Sequence, residues 1–273
     1  MISWCDDVFC GWLELYSYST GLQYIVITGA SSGIGAATSI LFSRLGSKLV
    51  LAGRKEDNLK RTRDACMQTG DEEPLLVVGE LRDSSYRENL VERTVEKYGK
   101  LDILVNNAGI ISLGSIENST MENYDTMMDV NVRSVFHLTS LAVPHLIDTR
   151  GNIVNVSSVN GIRAFAGVLS YCMSKAALDQ FTRCAALDLA PKGVRVNSVN
   201  PGVTITELQK RGGLSDEAYA NFLERSKMTH ALGRPGEASE IAESIAFLAS
   251  DASSFITGAT LPVDGGRHAM CPR

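Results

Sequence analysis

Ser158, Tyr171 and Lys175 are the residues whose types and spacing suggest chemistry in this chain. They lie in the stretch Asn152–Leu178, which reads NIVNVSSVNGIRAFAGVLSYCMSKAAL. It begins as an apolar strand and ends as a long helix, on which Tyr171 and Lys175, four positions apart, share a face. A free tyrosine has a pKa of about 10 and is a poor base near neutrality. An adjacent ammonium favours the phenolate, and bringing the pKa down by about three units takes roughly 4 kcal/mol of differential stabilisation. One buried cation can supply much of that. On this reading Lys175 lowers the pKa of Tyr171, which exchanges a proton with an alcohol or carbonyl oxygen. Ser158, reaching in from the strand, holds the same oxygen. Tyr-x-x-x-Lys is also met as a half-buried ring beside a solvated lysine, so the rest of the chain must supply the context.

The elements that would position these groups read in order from the N-terminal side. Tyr24–Ile27 is a short β-branched run, the signature of a strand buried on both faces. It leads into Thr28-Gly29-Ala30-Ser31-Ser32-Gly33-Ile34-Gly35, and a helix follows to about Leu45. Strand, glycine-rich turn and helix form the context of a phosphate-binding loop. Gly29 permits the tight turn, Gly33 lets the backbone approach a pyrophosphate at the helix N-terminus, and Gly35 lets helix and strand pack closely. Thr28, Ser31, Ser32 and Ile34 are expected to complete this cofactor loop. The second strand, Lys48–Ala52, ends in Gly53-Arg54-Lys55 with no acid until Glu56. An acid there would bind a ribose 2′-hydroxyl, whereas Arg54 can bind a 2′-phosphate, which favours NADP over NAD. Arg54 could equally be solvated.

Further strands are expected at Leu75–Gly79, Leu101–Val105, Asn152–Val156, Gly193–Val199 and Thr257–Val263. Glu80, followed by Leu81, could accept from an adenine amino group. Asn106-Asn107-Ala108-Gly109 and Pro201-Gly202-Val203 close strands at their carboxyl ends, where ligands of open α/β sheets bind. Met121–Leu146 reads as one long helix with Asn131 in its middle, a residue able to bend the helix by opening its ladder and to hold a water. Residues 204–231 read as a helical lid. Strands alternate with helices throughout, which implies a parallel sheet with helices on both faces.

Composition narrows the partners. The 273 residues fit one large α/β domain, 22–273, and 44% are hydrophobic, enough for a sizeable core. The net charge of -5 argues against nucleic acid or an anionic membrane as the main partner. None of the six cysteines forms a C-x-x-C pair or has histidines at zinc spacing, so no metal site is expected and reduced thiols in a cytoplasmic protein are. The four histidines form no constellation. Residues 1–21 are aromatic-rich without the charged flank of a secretory signal, and are expected to be a poorly ordered extension.

Taken together, the motifs resemble those of the classical short-chain dehydrogenase/reductase family over residues 22–268. The resemblance rests on T-G-x-x-x-G-I-G at 28–35, N-N-A-G at 106–109, Asn131, S-S at 157–158, Y-x-x-x-K at 171–175 and P-G at 201–202, all in the family's order. It implies a single Rossmann-type, doubly wound parallel sheet flanked by helices, in a homotetramer or homodimer that transfers hydride between nicotinamide and an alcohol or carbonyl. It implies that Tyr171 is the general acid/base and that Lys175 lowers its pKa and binds the nicotinamide ribose. It further implies that Ser158 polarises the substrate oxygen and that Asn131 holds the water of a proton relay. Asn107, with Ala108 and Gly109, would lie under the cofactor, and Thr206 would touch its phosphates. Within the family the chain is most similar to the 3-oxoacyl-carrier-protein-reductase-like group, a label that spans many substrates. Glu80 departs from the usual aspartate, and Gln23-Tyr24 stands where a lysine is common. The competing expectations are a catalytically silent member of the fold, used for nucleotide binding or interaction, and a net dehydration or epimerisation through the same cofactor.

Overall fold

The computed structural model describes residues 23–271; the expected extension at 1–21 lies outside them. Seven strands form one parallel sheet in the order β3-β2-β1-β4-β5-β6-β7. They are β1 (Tyr24–Thr28), β2 (Lys48–Gly53), β3 (Leu75–Val78), β4 (Ile103–Asn106), β5 (Asn152–Val156), β6 (Arg195–Pro201) and β7 (Thr260–Val263). Strand order reverses between β1 and β4, so the sheet has its switch point there, with Ile25, Val26 and Ile27 registered against Ile103, Leu104 and Val105. The crevice above a switch point is where doubly wound sheets bind ligands.

Both faces of the sheet are covered. On one, α1 (Gly33–Arg44), α2 (Glu56–Met67) and α10 (Ala238–Ala249) pack Phe42, Leu59, Ile241 and Ile245 onto Ile25, Ile27, Leu49 and Leu51. On the other, α3 (Ser84–Tyr98), α5 (Ser134–Thr149) and α7 (Leu169–Leu189) pack Leu90, Leu138, Leu146 and Ala186 onto Val26, Val50, Leu104 and Ile153. Each fully buried valine, leucine, isoleucine or phenylalanine among them contributes about 1.5–3 kcal/mol. This two-sided burial is why the strands read as continuous apolar runs. Local signals set helix ends: Asp83 caps α3 by accepting from Ser85 N, and Gly99, left-handed at φ 75°, ends it.

Two expectations need correction. Met121–Leu146 is not one regular helix. It comprises α4 (Met121–Met128), a π-helical turn at Asp129–Arg133, and α5. At this widened turn the Asn131 side chain bonds the backbone of Ile110 instead of facing solvent. Residues 204–231 are likewise not one helix. Thr204 bridges to Gly236, and α8 (Leu208–Arg211) is separated from α9 (Asp216–Thr229) by Gly212 and Gly213, the latter at φ 107°. One further short helix, α6 (Val159–Ile162), lies between β5 and α7.

Candidate active site

The glycine loop is built at the ends of β1 and β4. Thr28 Oγ1 accepts from Asn107 N and Ala108 N, both at 3.0 Å, so the two strand ends are tied across the switch point. Asn107 Nδ2 donates to the carbonyls of Thr28 (2.8 Å) and Gly29 (3.2 Å), which pins the turn from below. Gly29 and Gly33 are left-handed, at φ 65° and 54°. A Cβ on Gly35 would lie 2.4 Å from both Asn107 Nδ2 and Gly29 O, so only glycine fits. Ser32, at the start of α1, makes no side-chain cap, which leaves the first-turn N–H groups for an anion. A Cβ on Gly33 would meet Thr206 Cγ2 at 3.0 Å, so Thr206 stands against the loop. These features fit a dinucleotide pyrophosphate. A nicotinamide dinucleotide held there would supply the hydride acceptor or donor.

At the far end of the crevice, β2 and β3 deliver Arg54 and Glu80. The two are paired at 3.2 Å with both side chains solvent-exposed. Ser31 lies close by, since a Cβ on Gly53 would be 3.5 Å from Ser31 Cβ. The Leu81 carbonyl is held by the buried Arg87 guanidinium, whose Nε donates to His137 Nδ1 at 2.8 Å.

At the other end, β5, the π-helical turn and α7 converge on the candidate catalytic groups. Tyr171 is 6% exposed and Lys175 3%. Lys175 Nζ donates to Val156 O at 2.8 Å and lies 5.8 Å from the Tyr171 ring centre. A Cβ on Gly109 would lie 3.4 Å from Asn131 Oδ1 and 3.5 Å from Lys175 Nζ, so this glycine keeps the space between them open. Asn131 accepts from Ile110 N and donates to Ile110 O, each at 2.9 Å, and also reaches Ser174 Oγ at 3.0 Å. Ser158 Oγ accepts from Asn160 N (3.1 Å) and lies 3.2 Å from Asn160 Oδ1.

The electrostatics differ from the reading of the Tyr-x-x-x-Lys pair. Burial pushes the Tyr171 phenol up to about 12, and the Ser158 hydroxyl beside it pulls the other way. Burial pushes the Lys175 ammonium down to about 8, against the field of Asp179. In the protein alone, therefore, desolvation outweighs any help that Lys175 gives the phenolate.

Sequence reasoning missed three groups. His230 is buried and joins the end of α9 to the loop after β6: Nε2 accepts from Val203 N at 3.1 Å while Nδ1 faces Ser226 O at 2.9 Å. Gly202 is packed beneath it, since a Cβ there would meet Nε2 at 2.8 Å. Asn160 orients Ser158, as above. Asp179 is buried one turn beyond Lys175; the stripe Tyr171, Lys175, Asp179 was visible as an i, i+4, i+8 pattern. Among the described residues no helix is long and apolar enough to cross a membrane, and no group of three His, Cys, Asp or Glu side chains could hold a metal ion.

Comparison with known proteins bears on the family. Residues 29–268 match the family model described as enoyl-(acyl carrier protein) reductase. The chain is 38% identical over 243 residues to a 3-oxoacyl-[acyl-carrier-protein] reductase of Thermotoga maritima, covering 88% of this chain and 96% of that one. It is 37% identical over 247 residues to a meso-2,3-butanediol dehydrogenase of Serratia marcescens, covering 90% and 95%. A short-chain dehydrogenase/reductase of Caenorhabditis elegans, solved with cofactor, superposes with a TM-score of 0.86 at 34% identity, covering 91% of this chain and 96% of that one. Matched by the family model over residues 29–268 and by relatives over nearly their full length, the chain belongs to the classical short-chain dehydrogenases/reductases, the NAD(P)-dependent oxidoreductases that interconvert alcohols and ketones.

Proposed function

We propose that Tyr171 is the general acid/base of this oxidoreductase, acting on the oxygen of a secondary alcohol or ketone. The observation that carries the proposal is the convergence of Ser158, Tyr171 and Lys175 from two elements onto the crevice end beside Gly109. Ser158 and Tyr171 hold the substrate oxygen, and Tyr171 gives or takes its proton. Lys175 keeps a positive charge beneath that exchange and binds the nicotinamide ribose. Because the Asn131 side chain is fully engaged with Ile110 and Ser174, any relay water near it is held by backbone groups of the widened turn.

The pyrophosphate is assigned to the loop Thr28–Gly35 with Thr206, and the nicotinamide end to Asn107, Ala108, Gly109, Pro201, Gly202 and Val203. Glu80 and Leu81 take the adenine end. NADP(H) is the favoured cofactor. Among the described residues Arg54 is held only by an exposed pair with Glu80, a contact worth about 0–1 kcal/mol, so a 2′-phosphate can displace it. Residues 204–231 form the substrate lid, tied down where Tyr219 Oη donates to Thr206 O at 2.9 Å. The enzyme works as a homotetramer or homodimer, supported by Phe136, Met173 and Leu187 standing exposed on α5 and α7. Its location is cytoplasmic, in keeping with free thiols at Cys66, Cys172, Cys184 and Cys271.

The test is a carbonyl and alcohol panel that includes meso-2,3-butanediol and a 3-oxoacyl thioester, run with both cofactors and read by reduced-cofactor absorbance. Turnover of at least one member is expected. Cofactor binding without turnover of any member points instead to a catalytically silent protein, and substrate loss without net absorbance change to a dehydration or epimerisation.

A further inference from the structure

Asp179 is a buried carboxylate that the catalytic reading leaves unused. It is 3% exposed and projects from the same face of α7 as Tyr171 and Lys175, two turns and one turn along from them. Two of its hydrogen-bond partners come from β6. Asn200 Nδ2, on β6, donates to Oδ2 at 2.9 Å and lies 3.1 Å from Oδ1. The same Nδ2 is 2.9 Å from the backbone carbonyl of Ser158. Ser198 Oγ, also on β6, lies 3.5 Å from Oδ1 and 3.1 Å from Asn200 Oδ1. From another side Gly161 closes over the carboxylate: a Cβ there would fall 2.2 Å from Oδ2 and 2.9 Å from Lys175 O.

We propose that Asp179 is a positioning residue for the Ser158–Tyr171–Lys175 group, serving as the buried counter-charge of Lys175 and, through Asn200, as the anchor of the Ser158 backbone. This rests on the proposed roles of those three residues. The need for a counter-charge follows from burial. A lysine removed from water favours its neutral form. A neutral Lys175 would present no charge to Tyr171 or to a ribose. Asp179 is the acid whose field opposes that loss, acting at a distance, because the two groups make no ion pair within contact range. Burial pushes the Asp179 carboxyl up, and hydrogen bonds from Ser157 and Asn200 together with the charges of Lys175 and Arg183 draw it back toward the ionised form; Arg183 is exposed on the same helix and held by Gln180 Oε1 at 2.7 Å. Ser157, Ser198 and Asn200 facing it from β5's end and β6 carry no charge. The anchoring role follows from the single amide that touches both Asp179 and Ser158 O. Ser158 is thereby held from its backbone by β6 and from its hydroxyl by Asn160.

The test reads Lys175 directly. Full-length protein carrying 13C-labelled lysine is titrated by NMR, with the Lys175 signal identified by its loss in Lys175→Met. Asp179→Asn keeps the shape and removes the charge. It should move the Lys175 midpoint down by about one pH unit, the scale of losing one nearby charge. An unmoved midpoint in the folded variant overturns the proposal, because a role in packing alone would not shift it. Should Asp179→Asn fail to fold, the wild-type protein still decides. With 13C-carboxyl aspartate, one aspartate signal should follow the Lys175 titration and lose that response in Lys175→Met. Absence of any such signal also overturns it. Neither readout needs turnover, so a failed activity panel would strike the catalytic assignment and leave this result standing.

Discussion

Lys175 Nζ donates to the Val156 carbonyl at 2.8 Å, which ties the middle of α7 to the last residue of β5. The bond places an ammonium under the strand end from which Ser158 emerges. It also means that the protein carries a desolvated charge for the sake of its site, and that has a measurable consequence.

Lys175→Met should stabilise the fold at neutral pH. Below about 8 the lysine is charged both folded and unfolded, and burial of the charge works against the folded state. Between about 8 and its ordinary 10.5 the folded protein has shed the proton and the unfolded chain has not, so wild-type stability rises with pH across that window. The advantage of methionine is therefore largest near pH 7. It amounts to roughly 3 kcal/mol from the shift, reduced by about 1 kcal/mol for the orphaned Val156 carbonyl. Thermal melts of both proteins from pH 7 to 10.5 should show the Tm gap closing; a gap that widens with pH contradicts the direction assigned to Lys175.

Gly35→Ala should cost about 1–3 kcal/mol and abolish dinucleotide binding, because its Cβ would fall 2.4 Å from the Gly29 carbonyl, a backbone atom that cannot swing away. Gly46→Ala is the control. That position is at φ 82° with nothing within 4 Å, so it should lose about 1–2 kcal/mol from backbone strain alone and bind cofactor normally. Calorimetry with fluorescence titration of reduced cofactor separates the two.

Arg54→Asp should weaken NADP(H) by on the order of tenfold to a hundredfold, the value of one charged contact to phosphate, while NAD(H) changes little. It also breaks the pair with Glu80, which is exposed and matters little to stability. Equal losses for the two cofactors would remove the phosphate role of Arg54.

Asn131→Ala should destabilise the protein by about 1–3 kcal/mol by leaving the Ile110 N–H and C=O without partners. Hydrogen exchange at the Ile110 amide should quicken. If that amide stays protected, the clamp does not depend on the side chain.

Much of the architecture was legible because both faces of the sheet are buried, and runs such as Ile25–Ile27 and Ile153–Val154 announce that directly. The glycine loop was legible for the same kind of reason, since each glycine answers a local steric demand. What could not be read were the long-range pairings. Asn131 was visible as a mid-helix oddity, but its partner Ile110, bonded where the helix widens into a π turn, lies 21 positions away. Arg54 and Glu80 looked like two separate cofactor ligands, yet they are also each other's partners. The direction of the Tyr171 shift was misread because spacing shows a neighbouring lysine and does not show the extent of desolvation. Asp179 drew no attention because its enclosure by β6 and Gly161 is a long-range contact that no local pattern announces.

The central claim is that Tyr171 moves the proton while the rest of the crevice binds cofactor. Its most direct test is Tyr171→Phe, assayed with a panel substrate that the wild-type protein turns over and with reduced-cofactor binding measured in parallel. Turnover should fall by a factor on the order of a hundred or more with cofactor affinity nearly unchanged. Turnover retained at wild-type rates would contradict it.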